Sequence, residues 1–391
     1  MTIDIESLHS VQQLSTIMDE WRSLHEHGEN SSPPLHPDWV MAWLDAYGQQ
    51  YCPDGSLRVL TGRSNGKLVA VLPLYLSSER VARVPARVLR FVSTGEAEFE
   101  ETCPDYLDML CSSAHATEAS AAMWRHIMAS TDWQALDLLE MSVNSTFLAA
   151  AEPPGSPTPP IRLDRGECPR ADIAQGVEGL LPQLSAKTRR NTRRLLRDVA
   201  ADNLTLAIAD TPASAASAFD DLVALHTARW KVDDKPGAFE SPRFLTMHRN
   251  LALQWTESGR AILATLREQD RSIAVIYGFT QGQEFHFYQC GVTRERLASV
   301  HSPGIAANLL LMDVLSTRGI TVYDFLRGGQ SYKHDYRTNG TRLTRLRLLR
   351  SPLLRAADGG QRWLRERYVR IRAAVRGRPN TPPPVSPADG E

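Results

Sequence analysis

No stretch of this 391-residue chain is apolar over the length a membrane helix needs. Met1 to Trp21 also lacks the basic-then-apolar pattern of a secretory leader, so a cytoplasmic product is expected. Cysteine is scarce. Cys52, Cys103, Cys111, Cys168 and Cys290 are odd in number and scattered, which suits a reducing compartment and supplies no disulfide framework or zinc-type spacing. Net charge is −1, so the whole molecule is not a general nucleic-acid binder and DNA is not an expected partner. Gly-x-Ser-x-Gly, Walker and His-Glu-x-x-His sequences are all missing, so neither a covalent nucleophile nor a metal site is expected. What is present is an ordinary soluble composition, 42% hydrophobic and 23% charged, in a length that suits two domains.

Charge is balanced overall but not locally. Lys187 to Arg197 holds six cations and no acid, and Arg337 to Arg378 holds thirteen arginines against Asp358 and Glu366. Glu96 to Asp108 is acidic. On a helix, Lys187, Arg190, Asn191 and Arg194 fall at i, i+3, i+4 and i+7 and share one face, which suits an anionic ligand as well as it suits solvent.

Periodicity sets out the elements. A weak helical pattern runs over Ile5 to Leu24, and a stronger one starts at His36-Pro37 with Trp39 and Trp43 on one face. Leu57 to Thr61 and Leu68 to Leu76 are strand-like, with a hairpin signal at Asn65-Gly66 between them. Strands are expected at Val88 to Val92, Tyr106 to Leu110 and Trp133 to Met141, and a helix at Ala116 to Ser130. Glu152 to Pro160 reads as a linker. Beyond it come helices from Gly176 through the basic run, at Ala213 to Trp230 and at Arg243 to Ser258. A strand meander then covers Ala261 to Leu266, Ser272 to Thr280 and Glu284 to Gln289. Alternation of Leu with Arg or Thr over Thr341 to Arg350 suggests an edge strand. Gln361 to Val375 is a basic amphipathic helix, suited to an anionic membrane surface or to packing on the acidic 96–108 region, of which packing is preferred. A disordered tail is expected over 379–391.

The halves repeat. Thr61 to Val71 aligns with Thr265 to Val275, and Ala135 to Leu139 with Val322 to Leu326, the first copy carrying 17 extra residues between the two matches. Two copies of one α/β unit are expected, each a mixed, mostly antiparallel sheet flanked by helices. The division is 1–160, 168–350, a basic C-terminal helix at 351–378 and the tail.

The second copy is organised around Ser299 to Lys333. Ser302-Pro303-Gly304-Ile305-Ala306 opens a helix that Gly319 ends, followed by a buried strand from Ile320 to Leu326 and a glycine-bearing polar loop. A first helical turn of small residues leaves backbone N–H groups accessible to an anion such as a pyrophosphate.

Several segments in order now carry a resemblance: Leu184 to Arg194, Tyr288-Gln-Cys-Gly291, Ser302 to Leu310, Tyr323-Asp-Phe-Leu-Arg-Gly328 and Ser331-Tyr-Lys333. Over Cys168 to Arg350 the chain resembles the GNAT N-acetyltransferase superfamily. Within it, the chain looks like the CelD-like branch linked to polysaccharide biosynthesis, a relative of the FemAB-type transferases. The first half is similar to the degenerate first unit of tandem members. The family's pyrophosphate loop is Arg/Gln-x-x-Gly-x-Gly/Ala; His301-Ser-Pro-Gly-Ile-Ala306 has one glycine and no arginine at its head.

The resemblance implies direct attack of an amine on the thioester of acetyl-CoA or another acyl-CoA, with an amine or amino-sugar acceptor from a cell-envelope or exopolysaccharide pathway. It assigns Gly291 and Ser302 to Ala306 to the cofactor. It places Tyr332 where the superfamily keeps its thiolate-protonating residue. His286 is a candidate general base, with a structural role the alternative. Asp324 is a further catalytic candidate, although its counterpart Asp137 argues for structure. Lys187, Arg190, Asn191, Arg194, Tyr288, Arg327 and Lys333 are the expected substrate-binding set. FemAB-type relatives use aminoacyl-tRNA instead, and a non-catalytic scaffold of a polysaccharide synthesis complex is the remaining alternative.

Overall fold

The computed structural model describes residues 2–28, 30–151, 159–232, 237–295 and 297–375. Most of the expected linker and all of the expected tail lie outside them. The first half runs β1 (Asp4–Leu8), α1 (Val11–Ser15), α2 (Met18–His27), α3 (Pro37–Tyr51), β2 (Leu57–Ser64), β3 (Lys67–Val81) and β4 (Val84–Phe91). It continues with β5 (Leu110–Cys111), α4 (Ala116–Ala129), β6 (Ala135–Ser142) and α5 (Thr146–Ala149). Next come β7 (Ile161–Asp172), α6 (Gly176–Leu180), α7 (Ala186–Ala201), β8 (Thr205–Ile208), α8 (Pro212–Val232) and α9 (Pro242–Thr256). The chain then forms β9 (Ala261–Glu268), β10 (Arg271–Gln281), β11 (Glu284–Val292), α10 (Pro303–Thr317) and β12 (Val322–Asp324). It closes with α11 (Ser331–Asp335), β13 (Asn339–Leu349) and α12 (Pro352–Val375).

Two compact units result. One comprises Met1–Gly95, Cys103–Gly166 and Arg342–Glu391, the other Glu96–Thr102 and Glu167–Thr341. The first orders its strands β1-β2-β3-β4-β6-β13 and the second β8-β9-β10-β11-β12-β7. In each, hairpin-linked neighbours are antiparallel, whereas β4 with β6 and β11 with β12 are parallel. Each parallel pair is joined through a helix, α4 or α10, as a parallel crossover needs. The repeat expected from sequence is therefore real at the level of strand order.

The units are not the consecutive segments 1–160 and 168–350. β7 follows β6 in the chain yet its Arg170–Asp172 pairs with β12, and β13 follows β12 yet pairs with β6. Each half donates its last strand to the other half's unit and covers an edge that would otherwise hold unpaired backbone groups. The expectation of an edge strand at 341–350 is corrected, because β13 has β6 on one side and β7 on the other. Arg342 is exposed, but Arg345 makes two 2.6 Å hydrogen bonds to Asp137, and Arg347 pairs with Asp358. Burial alone would raise the Asp137 pKa, but Arg345, Arg90 and Arg347 more than offset it and hold the carboxyl well below its usual range.

The expected helix at 5–24 also resolves differently. Asp4–Leu8 pairs with β2, and helix begins only after Ser10, whose hydroxyl caps Gln13 N–H. At Asn65-Gly66 both residues have positive φ, 49° and 79°, the geometry a two-residue primed turn demands. The first unit's core holds Trp21, Trp39, Trp43 and Tyr47, with the Trp21 indole donating to the Leu35 carbonyl at 3.1 Å. The second unit's core joins α6, α10 and the meander through Leu180, Ile276, Phe285, Phe287, Leu311 and Tyr323.

Candidate active site

In the second unit the sheet opens where β11 and β12 part. Their parallel pairing covers only Glu284–His286 against Val322–Asp324, and β11 continues to Val292 with its other edge still on β10. The parting follows a bulge: Phe287 opposes Gly278 and Gln289 opposes Tyr277, which leaves Tyr288 extra. One extra residue reverses the face sequence. Phe285 and Phe287 lie in the α10-side core, and beyond the bulge that core is continued by Cys290 and Val292. Gly291 then faces α8, where an added Cβ would meet the Leu222 carbonyl oxygen at 2.7 Å.

The N-terminus of α10 sits at the far end of β11, a Cβ on Gly304 lying 3.1 Å from Val292 Cγ2. Ala306 N–H bonds the Ser302 carbonyl at 3.0 Å, so Gly304 and Ile305 supply the first-turn amides that helix geometry leaves without an intrahelical acceptor. Asp202 of the turn after α7 positions this entry by accepting from Ser299 and Val300 N–H at 2.9 and 3.1 Å. Those backbone donors hold its carboxyl below the ordinary range. Ser185 caps α7 through Thr188 N–H at 3.1 Å, and the Thr192 and Tyr336 hydroxyls meet at 2.9 Å, tying α11 to α7.

These three elements enclose a cavity of about 270 Å³. α7 contributes Lys187, Thr188, Asn191, Arg194 and Asp198; the α10 entry contributes His301, Ser302 and Ile305. Tyr332, Asp335 and Tyr336 complete it. The lining thus carries both charge signs, with Lys187 and Arg194 as fixed cations and two carboxylates. Tyr332 is half-buried against Phe325. Burial, and after it the neighbouring Cys290, pushes its phenol above the usual value, only partly countered by Arg229. It stays protonated and able to donate.

Six of the residues singled out from sequence therefore meet: Lys187, Asn191, Arg194, Ser302, Ile305 and Tyr332. The others do not line this cavity. Arg190 is exposed on α7, and Pro303 and Ala306 are buried beneath the helix entry. Gly291 is a packing position for α8, not a cofactor contact. Lys333 is buried and its ammonium donates to the carbonyls of Phe325 (2.7 Å) and Arg327 (3.2 Å), which corrects its reading as a substrate ligand. Arg327 belongs to that same turn.

Asp324 is fully buried. Its Oδ1 accepts Leu326 N–H at 2.7 Å, stabilising a left-handed leucine (φ 53°), and its Oδ2 lies 3.5 Å from Arg170 Nε. That is a brace for the β12 turn and not a catalytic placement. His286 is 4% exposed, and burial followed by Arg170 pushes it down to about 3, so it is neutral but a poor proton acceptor near neutrality. Tyr288 turns to the α9 side, its hydroxyl donating to the Thr102 carbonyl and lying 2.9 Å from His248 Nε2.

Sequence reasoning missed Thr188, Asp198, His301, Asp335 and Tyr336. Asp198 continues the spacing of Lys187, Asn191 and Arg194 by one further turn and was legible there; following cations alone passed it over.

Residues 186–334 match the family described as Acetyltransferase (GNAT) domain. No curated protein sequence matches the chain. Among solved structures, a conserved protein of unknown function from Bacteroides thetaiotaomicron VPI-5482 is similar over 88% of this chain and 100% of its own, at 11% identity and a TM-score of 0.55. FemX is similar over 90% of this chain and 100% of its own, at 11% identity and 0.53. L-PGS from Bacillus licheniformis is similar over 88% and 93%, at 9% and 0.51. At these identities the likeness is one of fold. The domain match spans α7, the split strands, the α10 entry and Tyr332, and the protein is an N-acyltransferase of GNAT-like fold.

Proposed function

We propose that the protein is an acyl-CoA-dependent N-acyltransferase whose acceptor is an amine or amino sugar of a cell-envelope or exopolysaccharide pathway. One observation carries the reading: a single cavity joins Ser302 and Ile305 of the α10 entry, the cations Lys187 and Arg194, and a protonated tyrosine. Ser302, Ile305 and the two cations fit the phosphates of a CoA carrier, since helix-start amides and flexible cations are complementary to such charge. The bound donor supplies an activated thioester carbonyl.

Around it the chain's own groups divide the work. Lys187 and Arg194 bind and orient, while Asn191 and Thr188 offer neutral hydrogen bonds. Tyr332 delivers its phenolic proton to the departing sulfur; its raised pKa keeps the donor loaded and makes it a weaker acid, so its placement at the cavity carries the assignment. Asp198 and Asp335 attract a cationic amine toward the same space and take up the proton it must lose before its lone pair attacks the thioester carbonyl.

The experiment is release of free thiol from acetyl-CoA and longer acyl-CoAs with a panel of amines and amino sugars, run beside CoA-dependent thermal shift. Release with at least one acceptor is expected. Labelling of an acceptor from aminoacyl-tRNA, with no thiol release, would assign the cavity to the FemAB-type donor instead. No release and no thermal shift with any CoA derivative would sink the reading.

A further inference from the structure

Helix α12 carries a face that its own unit does not cover. Leu354 and Asp358, one turn apart, are 2% and 4% exposed, and Asp358 is held by Arg347. That side anchors the helix. Trp363, Leu364 and Tyr368 are 54%, 61% and 61% exposed, and Leu353 is 64% exposed. At 3.6 residues per turn, Trp363, Leu364, Arg367 and Tyr368 fall at i, i+1, i+4 and i+5 and so share an arc. Leu353 lies about three turns before Leu364 on the same line. Gln361, two turns after Leu354 on the anchored side, is exposed as well, so beyond Asp358 the helix stands off its unit and leaves these apolar side chains uncovered.

Charge decides what would cover it. Between Pro352 and Val375 the sequence has Arg355, Arg362, Arg365, Arg367, Arg370 and Arg372 against Asp358, already paired, and Glu366. Arg367 lies over the Trp363 ring at 4.8 Å, so a cation stands within the apolar arc itself. A second copy of the helix would bring like charges together. A nucleic acid would use the arginines and the aromatics but gain little from Leu353 and Leu364. Anionic lipid uses all of them: cations meet headgroups, Trp and Tyr take the interface, and leucines enter the acyl boundary. Among the described residues no helix is long and apolar enough to cross a membrane, so contact would be lateral.

We propose that α12 lies on anionic membrane surfaces through Leu353, Trp363, Leu364 and Tyr368, drawn there by the excess of arginine over acid in its sequence. This surface is separate from the acyltransferase cavity and does not rest on the donor assigned to it.

The full chain is mixed with phosphatidylcholine vesicles, with or without phosphatidylglycerol, and sedimented at low and high salt. Binding only to the anionic vesicles is expected, falling at least about fivefold in high salt. The variant carrying Trp363→Ser, Leu364→Ser and Tyr368→Ser should bind at least about tenfold less. Because that variant is usable only if it folds, its melting curve is compared with the parent. A second measurement uses the protein with Trp363 alone replaced by Phe: brominated phosphatidylglycerol should quench parental tryptophan fluorescence and quench this variant less. Equal sedimentation of parent and triple variant, or no binding to anionic vesicles, overturns the proposal. Self-association through α12 or nucleic-acid binding in place of vesicle binding overturns it equally.

Discussion

Single residues show how far neighbours can move a titration. Burial raises the pKa of both Tyr332 and Asp108, but only Tyr332 lies at the cavity. Tyr332→Phe should lower kcat by about a hundredfold, the low end for a lost proton donor, with little change in the KM for acyl-CoA and an unchanged melting temperature. A KM effect without a kcat effect would make the phenol a packing group. Asp108 is fully buried; burial pushes it up to about 7 against the opposing hydrogen bonds of Ser145 and the Met109 N–H. Its folded pKa exceeds its ordinary 3.8, so the stability it contributes is complete below that value and is lost as pH rises through about 7. Asp108→Asn cannot ionise. Its melting temperature relative to the parent should therefore be higher at pH 8 than at pH 5, and a difference independent of pH would refute the assignment. Nothing in the sequence marked Asp108 out from the other acids of 96–108, because burial of a carboxyl is a tertiary fact.

At the scale of elements, what was legible is what local pattern determines. The hairpin at Asn65-Gly66, the α10 start at Pro303 and the meander of β9 to β11 follow from turn chemistry and period, and each lies within a few residues of its expected place. The bulge at Tyr288 was not legible. It exchanges the faces of β11 midway: Tyr288 still packs on Phe279, the cross-strand partner of His286, but simple alternation fails beyond Tyr288. The same bulge turns Gly291 toward α8. A methyl there would meet Leu222 O at 2.7 Å, Leu225 Cβ at 2.8 Å and His226 N at 3.0 Å, all on one rigid helix. Gly291→Ala should destabilise by about 1–3 kcal/mol, read as a lower urea midpoint at unchanged slope. Gly359→Ala, with nothing within 4 Å, is the control and should be neutral or slightly stabilising. If the two behave alike, Gly291 is not a close-approach position.

At the scale of the molecule, the repeat was readable and the exchange of last strands was not. Matching segments reveal two copies of one order, but they carry no information about which copy β7 and β13 complete, since either sheet offers an equivalent edge. The two units also answer acid differently. In the second, burial pushes His248 and His286 down to about 3 and His226 to about 4, where Trp230 donates to its Nε2 at 2.9 Å. A histidine depressed below its ordinary 6.5 contributes stability that is present above that value and fades as pH falls toward its folded pKa. Asp108 in the first unit acts in the opposite sense over much of the same window. Lowering the pH from about 7 to about 5 should therefore weaken the second unit. Hydrogen exchange, corrected for intrinsic rates, should show loss of protection in peptides from α8, α9 and β11 while β3 and β4 hold theirs. The acyltransferase cavity belongs to the unit that yields, so acid inactivation should precede global unfolding. Equal loss in both units would mean that the buried histidines do not govern the acid response.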